Sequence, residues 1–338
     1  MRVIHERNVN GAHADAVHLL DAEHTRAVSR AGDVLEYPGP VTTVYTKPME
    51  CVLWDPVRDC SPWLHLFESM WMLAGRHDVE YLNQVSKHIG QFVDDGSGTQ
   101  HGAYGYRWRH WFGIDQLDHA VRQLQADPMS RRVVLQMWSP LGDTVSMQGA
   151  GGPQSPDVPC NLSVTFSLRT GRLDMVVFCR SNDIVFGCYG ANAVHFSFLL
   201  QYIAARLAVP VGTYHQISVN WHAYDKVWKA KVSLDSAADW SVRDPYLSHL
   251  AVPMGLTDGG DLDNDIRNLT DCGFNPALQP VVVTDFMRLV VAPLRLVWVA
   301  WKAGDKALAF ALLGDAERYA PLNDWLLACR MWMERRNK

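Results

Sequence analysis

The chain lacks the cysteine patterns of a disulfide-rich or zinc-binding protein. Its 338 residues include seven cysteines, an odd number, and none of them are spaced as C-x-x-C. Disulfide frameworks and structural zinc sites need paired or clustered cysteines. This usage therefore predicts free thiols, no metal and a reducing cytoplasm.

A positive charge excess and a long hydrophobic run are missing as well. The net charge is −5, which argues against a nucleic-acid binder, because such proteins are usually basic. The most apolar late run, 289–301, is interrupted by Pro293 and Arg295 and is shorter than the roughly 20 apolar residues that cross a bilayer. The charged start, Met1 to Arg7, is unlike a signal peptide. We expect no membrane partner and no direct nucleic-acid binding.

The chain has enough apolar residues, 48% of the total, to bury a large core as one domain or as a domain with an appendage. Apolar periodicity predicts helices and strands in alternation, and helices with a break near residue 304 from about residue 284 onward. Before that point, helical spacing appears in 16–28, 62–74, 114–126 and 193–207. Strand patterns appear in 34–37 and 41–45, with a buried strand over 133–138.

A proline-flanked cysteine precedes a predicted β-hairpin. After Cys160, two strand-like runs are separated by a turn at Thr170-Gly171, and the second run ends in the polar cluster 180–183. The hairpin places the thiol of Cys160 and the guanidinium of Arg180 at the same end of a sheet. A thiolate beside a fixed positive charge is what a sulfur nucleophile requires near neutral pH. A Gly- and Pro-rich stretch, 142–159, is expected to be the loop that delivers the cysteine.

These residues carry a family resemblance. The block Asp157–Asn161, followed by Cys179–Gly187 and Asn192, resembles the core of the thymidylate synthase superfamily, which includes the nucleotide hydroxymethylases of phages and antibiotic pathways. Other motifs resemble the family in the same chain order, from about residue 30 to 228, and their ordered combination is highly specific. They are Trp63–Gly75, Gly102–Arg109, Asp127–Arg132 followed by Trp138, and Asn220–Tyr224.

The resemblance implies an α/β (α+β) fold with a mixed β-sheet flanked by helices. We expect a thymidylate synthase-like catalytic domain over 1–283 and an added C-terminal helical extension over 284–338. It also implies an enzyme that transfers one-carbon groups, using 5,10-methylenetetrahydrofolate and a pyrimidine nucleoside monophosphate. The enzyme is expected to be a homodimer with shared active sites, located in the cytoplasm, or in the host cytoplasm if the protein is viral.

Carbon 5 of a pyrimidine becomes nucleophilic only after something adds to carbon 6, so such an enzyme needs a thiolate, here Cys160. A carboxylate must then move protons, and Glu68 fills this role on an apolar helix where an acid is otherwise unusual. The resemblance implies that Tyr104 helps to remove the carbon-5 proton. It also implies that Asp183 serves both catalysis and folate binding, with Gly187 and Gly90 beside the folate.

The phosphate of the nucleotide needs fixed donors, and guanidinium groups suit phosphate because they bind it bidentately. The resemblance implies that Arg180 and Ser181 contact the phosphate within one subunit. It implies that Arg131 and Arg132 reach it from the partner subunit. Further residues with implied nucleotide contacts are Arg30, for which Arg26 is a competing candidate, and His222 and Tyr224, which would bind the sugar.

Asn192 is expected to read the base edge. An amide can donate to oxygen 4 and accept from the N3–H of uracil, whereas a cytosine reader is expected to be a carboxyl group. The chain has one more residue between Gly187 and the asparagine than synthases have, so Ala191 holds the amide position in gapless register. We therefore expect dUMP, with dCMP or CMP open.

Four departures from synthases favour a hydroxymethylase. Gly90 stands where synthases keep an indole that shields the methylene intermediate, and its loss leaves space for water. Asn161 replaces the usual His after the nucleophile, and Cys179 replaces a Gln before the arginine. A helical stretch replaces the short apolar tail. The expected product is 5-hydroxymethyl-dUMP; the alternatives are a dCMP or CMP hydroxymethylase, a thymidylate synthase or, last, a non-catalytic relative that would have lost these site residues.

Overall fold

A mixed β-sheet of eight strands is the frame of the computed structural model, which describes residues 1–29, 31–87, 93, 96–144, 157–256 and 261–337. The strand order is β1-β4-β8-β7-β6-β5, and the hairpin β2-β3 joins through β3 to β8. The strands are β1 Arg2–Glu6, β2 Thr25–Ser29, β3 Gly32–Glu36, β4 Val41–Tyr45, β5 Val134–Gln136, β6 Asn161–Arg169, β7 Arg172–Asp183 and β8 Val211–Tyr224.

Helices cover one face of this sheet, as expected for a mixed α+β fold. They are α1 Val9–Glu23, α2 Pro62–Leu73, α3 Val79–Asn83, α4 Tyr104–Tyr106, α5 Gln116–Ala126, α6 Pro140–Asp143, α7 Asn192–Leu207, α8 Asp225–Lys231, α9 Leu234–Val242, α10 Leu262–Cys272, α11 Ala292–Lys302, α12 Lys306–Tyr319 and α13 Asp324–Arg336. Three π-helical segments run over Arg107–Trp111, Ile184–Ala191 and Met287–Val291.

The predicted hairpin is confirmed as β6 and β7, which pair antiparallel. Thr170 and Gly171 both have positive φ, at 51° and 77°, as a two-residue turn between twisted strands requires. Strand β7 also pairs in parallel with β8, so the ends of β7 and β8 lie side by side. This arrangement gathers Cys160, the Arg180 cluster and the Asn220–Tyr224 motif at one end of the sheet.

Helix α2 carries the predicted catalytic carboxylate into the core. It begins at Pro62 behind Ser61, whose side chain accepts a hydrogen bond from Leu64 N, and proline is favoured at the first helical position. Ten of its twelve residues are buried. Because the helix packs against α7 on one side and α13 on another, Glu68 lies between two layers of the protein rather than on a solvated face.

Helix α7 is the central helix of the structure, and thirteen of its sixteen residues are buried. Together with the π-helical segment before it, residues 184–207 are apolar and long enough to cross a bilayer by length and composition. However, 83% of an 18-residue window of that stretch is buried inside the protein, as expected of the core helix of a globular fold.

The predicted C-terminal helices are confirmed, with a break at Gly304, whose φ is +85°. They pack onto α2: the ring centroid of Trp63 in this helix lies 5.1 Å from that of Trp298 and 6.2 Å from that of Trp332. The guanidinium groups of Arg335 and Arg336 bind Asp59, just before α2. The domain boundary at residue 283 stays a prediction.

Two secondary-structure predictions need correction. The helix expected over 16–28 begins at Val9, because Asn8 caps it, and ends at Glu23; residues 25–29 form β2. The apolar spacing alone cannot show that β2 pairs with β3 and extends the sheet through β8. The strand near 134–136 is not wholly buried: it is an edge strand in which Val134 is 43% exposed and Leu135 is buried.

A buried acid at the start of α13 predicts a pH-dependent stability. Burial raises the pKa of Asp324 from 3.8 to about 7, and its carboxylate accepts a hydrogen bond of 2.8 Å from Tyr246 Oη. Between these two pH values the folded state keeps a proton that the unfolded chain has released. This contribution to stability is therefore complete below about pH 3.8, falls as the pH rises and is lost above about pH 7.

Asp324→Asn cannot ionise, and we expect its stability to fall less between pH 5.5 and pH 8 than that of the parent protein. The difference should be about 2 kcal/mol, measured by calorimetric unfolding at both pH values. Parallel stability curves for the parent and the variant would contradict this assignment.

Candidate functional site

Cys160 stands at the start of β6, where the end of β7 holds it. The backbone N–H of Arg180 donates to the carbonyl of Cys160 at 2.9 Å. The guanidinium of Arg180 donates to the carbonyls of Pro159, at 2.9 Å, and Val158, at 3.0 Å, and its Nη2 lies 3.9 Å from Cys160 Sγ. The predicted juxtaposition of the thiol and the guanidinium is therefore present.

The thiolate is not favoured by this chain alone. Burial raises the pKa of the Cys160 thiol above its usual range, Arg180 acts to lower it, and Asp157 acts to raise it. Burial outweighs the single guanidinium. A thiolate near neutral pH therefore needs more positive charge beside Cys160 than Arg180 supplies.

Tyr104 lies against the other side of the nucleophile. Its hydroxyl accepts a hydrogen bond of 3.4 Å from the backbone N–H of Asn161, and burial raises its pKa well above its usual value. The next residue must be glycine, because a Cβ at Gly105 would lie 2.0 Å from the carbonyl oxygen of Met72. This contact holds the Gly102–Arg109 motif directly against the end of α2.

A chain of amide groups runs from the nucleophile into the core. Asn161 Nδ2 donates to Asn192 Oδ1 at 3.3 Å, and Asn192 Nδ2 donates to Asn182 Oδ1 at 3.1 Å. Asn182 Nδ2 then donates to Ser218 Oγ at 3.0 Å. Asn192 is 7% exposed, so its amide has a fixed position beside the residue that follows Cys160.

The π-helical segment explains how Asn192 arrives there in spite of the longer spacing after Gly187. Residues 184–191 are wound more widely than an α-helix and are broken at Gly190, with φ −113° and ψ −108°. A π-turn takes up one extra residue without ending the helix. Asn192, the first residue of α7, thus joins the amide chain, whereas no side-chain hydrogen bond is available to Ala191.

Glu68 has a neighbour that the sequence reasoning missed. Its Oε2 lies 3.2 Å from Nε2 of His195 in α7, and the side chains are 18% and 4% exposed. The two atoms are within ion-pair distance but are not aligned for a hydrogen bond. The signal in the sequence was a histidine three residues after Asn192, on the same face of an otherwise apolar helix.

Asp183 and His222 face each other across β7 and β8. The carboxylate of Asp183 accepts hydrogen bonds from the N–H groups of Val185, at 2.9 Å, and Phe186, at 3.3 Å. Burial raises the pKa of Asp183 and lowers that of His222, while each group partly offsets the effect in the other. His222 Nδ1 is buried without a hydrogen-bond partner, so it has capacity for a ligand.

The remaining predicted residues divide into those at this end of the sheet and those away from it. Ser181 and Tyr224 are in the strand ends, and a Cβ at Gly187 would lie 2.9 Å from Asn182 Oδ1, so this position needs glycine. Arg26, the alternative to Arg30, is exposed and paired with Asp225 at 3.1 Å. Arg30 and Gly90, and most of the loop predicted over 142–159, lie outside the described residues.

Arg131 and Arg132 are exposed and lie away from Cys160 of the same chain. They precede β5, and the carbonyl of Val133 pairs with the N–H of Phe166, six residues along β6 from Cys160. At about 3.3 Å per strand residue this separation is about 20 Å. Within one chain, the structure does not bring these arginines to the nucleophile.

Metal ligation finds no support in the described part of the chain, where no group of three His, Cys, Asp or Glu residues is placed to hold an ion. All seven cysteines are free thiols. The site brings together a cysteine thiol beside a guanidinium, a carboxyl–histidine pair and fixed amides.

Comparisons with known proteins agree with this geometry. The thymidylate synthase family matches residues 59–238. The chain is 40% identical to the deoxyuridylate hydroxymethyltransferase of Pseudomonas phage M6, over 99% of this chain and 95% of that protein. It is 36% identical to the deoxyuridylate hydroxymethyltransferase of Bacillus phage SP01, over 62% and 57% of the two chains. It is 30% identical to the thymidylate synthase of Symbiobacterium thermophilum, over 53% and 62%.

Proposed function

Because the chain belongs to the thymidylate synthase family, we propose that it is a one-carbon transferase that converts dUMP into 5-hydroxymethyl-dUMP. The observation that carries the proposal is the placement of Cys160, Arg180 and the Asn192 amide at one end of the sheet. The near full-length similarity to a phage deoxyuridylate hydroxymethyltransferase supports the same reaction.

Cys160 would add to carbon 6 of the base and make carbon 5 nucleophilic. Its backbone is held by the N–H of Arg180, and its sulfur points toward that guanidinium. Glu68 would exchange protons with the base and with ordered water. Tyr104, whose raised pKa keeps its hydroxyl protonated, would help to remove the carbon-5 proton.

The amide chain supports uracil as the base. An amide oxygen accepts two hydrogen bonds and an amide nitrogen donates two. Asn192 uses one acceptor position on Asn161 and one donor on Asn182. It keeps one donor and one acceptor, the pair that oxygen 4 and N3–H of uracil require. If the Asn192 amide alone were flipped, its nitrogen would face the donor nitrogen of Asn161 and its oxygen would face the acceptor oxygen of Asn182. The observed orientation therefore disfavours cytosine.

The phosphate would be bound by Arg180 and Ser181 of one subunit and by the partner subunit's Arg131 and the partner subunit's Arg132. One face of the sheet is available for such a partner. Register places Val3, Thr42, Ile217 and Phe178 in a single row across that face, and Val219 beyond it is 58% exposed. In this row Thr42 is already buried, but Val3 is 56% and Phe178 38% exposed, and exposed apolar side chains of this kind favour cover by a partner.

A second copy seated on this face would also complete the charge at the nucleophile. Arg180 follows Phe178 by two residues in β7, so both side chains leave the strand on the outer face. The partner's arginines would lower the pKa of Cys160, which burial raises in the single chain. We therefore propose a homodimer with shared active sites.

Tetrahydrofolate carrying a methylene group would supply the one-carbon unit. The residues present fit a flat heterocycle: the ring of Phe186 is 49% exposed, and the Asp183 carboxyl is fixed by two backbone N–H groups. Asp183 and Gly187 would hold the folate, and Gly90 in place of an indole would admit water to the site.

Product analysis tests this function. The enzyme is incubated with methylenetetrahydrofolate and dUMP, dCMP or CMP, and the nucleotide is weighed by mass spectrometry. We expect 5-hydroxymethyl-dUMP and tetrahydrofolate, with no rise in near-ultraviolet absorbance from dihydrofolate. Water and hydride compete for one carbon, and a barrier difference of about 1.4 kcal/mol already gives a tenfold product ratio. Stoichiometric dihydrofolate with a 5-methyl product would instead identify a thymidylate synthase.

A further inference from the structure

His195 is a buried histidine that the reaction described so far does not use. It lies one turn after Asn192 in α7, and its side chain is 4% exposed. Its Nε2 faces Glu68 Oε2 at 3.2 Å and has no aligned hydrogen bond. An unpaired ring nitrogen this deep in a protein is costly, which points to a role that the resting structure does not display.

The other groups near His195 do not compete with it for the proton of Glu68. The ring centroid of His65 in α2 lies 6.4 Å from that of His195. Burial, with smaller contributions from the charges of His195 and Arg58, lowers the pKa of His65 to about 3. His65 therefore stays neutral at working pH. Among the described residues, Glu68 lies within ion-pair distance of His195 and His65 is in ring contact with it, while Arg58 acts on His65.

The proposed reaction has a larger proton requirement than a synthase. It converts dUMP, methylenetetrahydrofolate and water into 5-hydroxymethyl-dUMP and tetrahydrofolate. Two protons leave their positions, one from carbon 5 and one from water, and both end on nitrogen atoms of the released tetrahydrofolate. No oxidant or reductant is needed. When a hydride replaces water, as in methyl formation, only the carbon-5 proton has to be moved. A single carboxylate holds one proton at a time.

We propose that His195 is a positioning residue that takes a proton from Glu68 and so lets one carboxylate serve two proton transfers. The O–H bond at Glu68 Oε2 breaks as an N–H bond forms at His195 Nε2, and the carboxylate is then free to accept the proton of the attacking water. The reverse step returns the stored proton. This inference rests on the proposed function, because only water capture needs the second transfer.

Kinetics of His195→Gln test the role, with His65→Gln as the matched control for a buried histidine beside the same helix. Glutamine can hydrogen-bond to Glu68 but cannot carry its proton. We expect the kcat for hydroxymethylation to fall by about 100-fold, the Kd for dUMP to stay unchanged, and the acid limb of the pH profile to shift. His65→Gln should keep the parent profile. Parent-like kcat and pH profile in His195→Gln would overturn the proposal.

Nitrogen-15 NMR of the histidines gives a readout that needs no reaction. In the enzyme without nucleotide or folate, the ring-nitrogen signals of His195 are compared between the parent and Glu68→Gln, which keeps the shape of the side chain. Because the replaced carboxylate lies 3.2 Å from Nε2, the Nε2 signal of His195 should move, whereas the signals of His65 should not. Identical His195 signals in the two proteins would overturn the inference. A parent enzyme that makes only 5-methyl product would instead overturn the proposed function.

Discussion

Cys160→Ala should abolish product formation, with a loss on the order of 10⁵-fold or more, and should leave dUMP binding largely intact. Cys160 is the proposed nucleophile and Cys179, the neighbouring thiol, is fully buried, so no exposed thiol among the described residues of the site is expected to replace it. The shape of the site and the phosphate donors stay, because the Arg180 backbone and guanidinium bind main-chain atoms of 158–160 and not the sulfur alone.

Binding of dUMP is measured by titration calorimetry and turnover by mass spectrometry of the nucleotide. Cys272→Ala is the control, since this thiol in α10 has a similar partial exposure and lies outside the site. It should keep full activity. Substantial product from Cys160→Ala would remove covalent catalysis from the mechanism, and lost binding would indicate a structural role for the thiol.

Two inactive variants should restore activity when they are mixed. Arg131→Ala removes an arginine that would complete the site of the partner subunit, whereas Cys160→Ala removes the nucleophile from the site of its own subunit. After random subunit exchange, a heterodimer has one intact site, so about one quarter of the parent activity should return. The structure supports this design because Arg131 lies about 20 Å along β6 from its own Cys160.

A second mixture separates shared sites from simple stabilisation. Glu68 and Cys160 would serve the same site of one subunit, so mixing Glu68→Gln with Cys160→Ala leaves every site incomplete. This mixture should stay inactive. Restored activity in both mixtures, or a monomer by analytical ultracentrifugation at the working concentration, would contradict the shared dimer.

Local patterns were enough to predict the elements around the nucleophile. Residues 62–73 and 192–207 repeat apolar positions with helical period, and the hairpin has alternating strands around a Thr-Gly turn. The two strands of the hairpin are joined by a short turn, so their position relative to each other follows from the local chain. The thiol and Arg180 are therefore adjacent because both belong to one hairpin of about twenty residues.

Long-range pairing was not readable from the chain. Residues 25–29 have helix-compatible spacing, but they form a strand because β3 bonds to β8, nearly two hundred residues later. The nearness of His195 to Glu68 likewise depends on how α2 crosses α7. Packing between distant segments decides both contacts, so the sequence can mark His195 as an unusual residue of an apolar helix but cannot identify Glu68 as its partner.

The wide turn before α7 has a consequence for how such a site can diverge. One added residue in a regular α-helix rotates everything after it by about 100° and would carry buried side chains out of phase with the core. The π-helical turn over 184–191 confines that rotation to the segment before α7, so α7 keeps its thirteen buried residues in place. An insertion in this segment can thus change base recognition while α7 and its packing stay unchanged. Recognition and stability are then free to evolve separately.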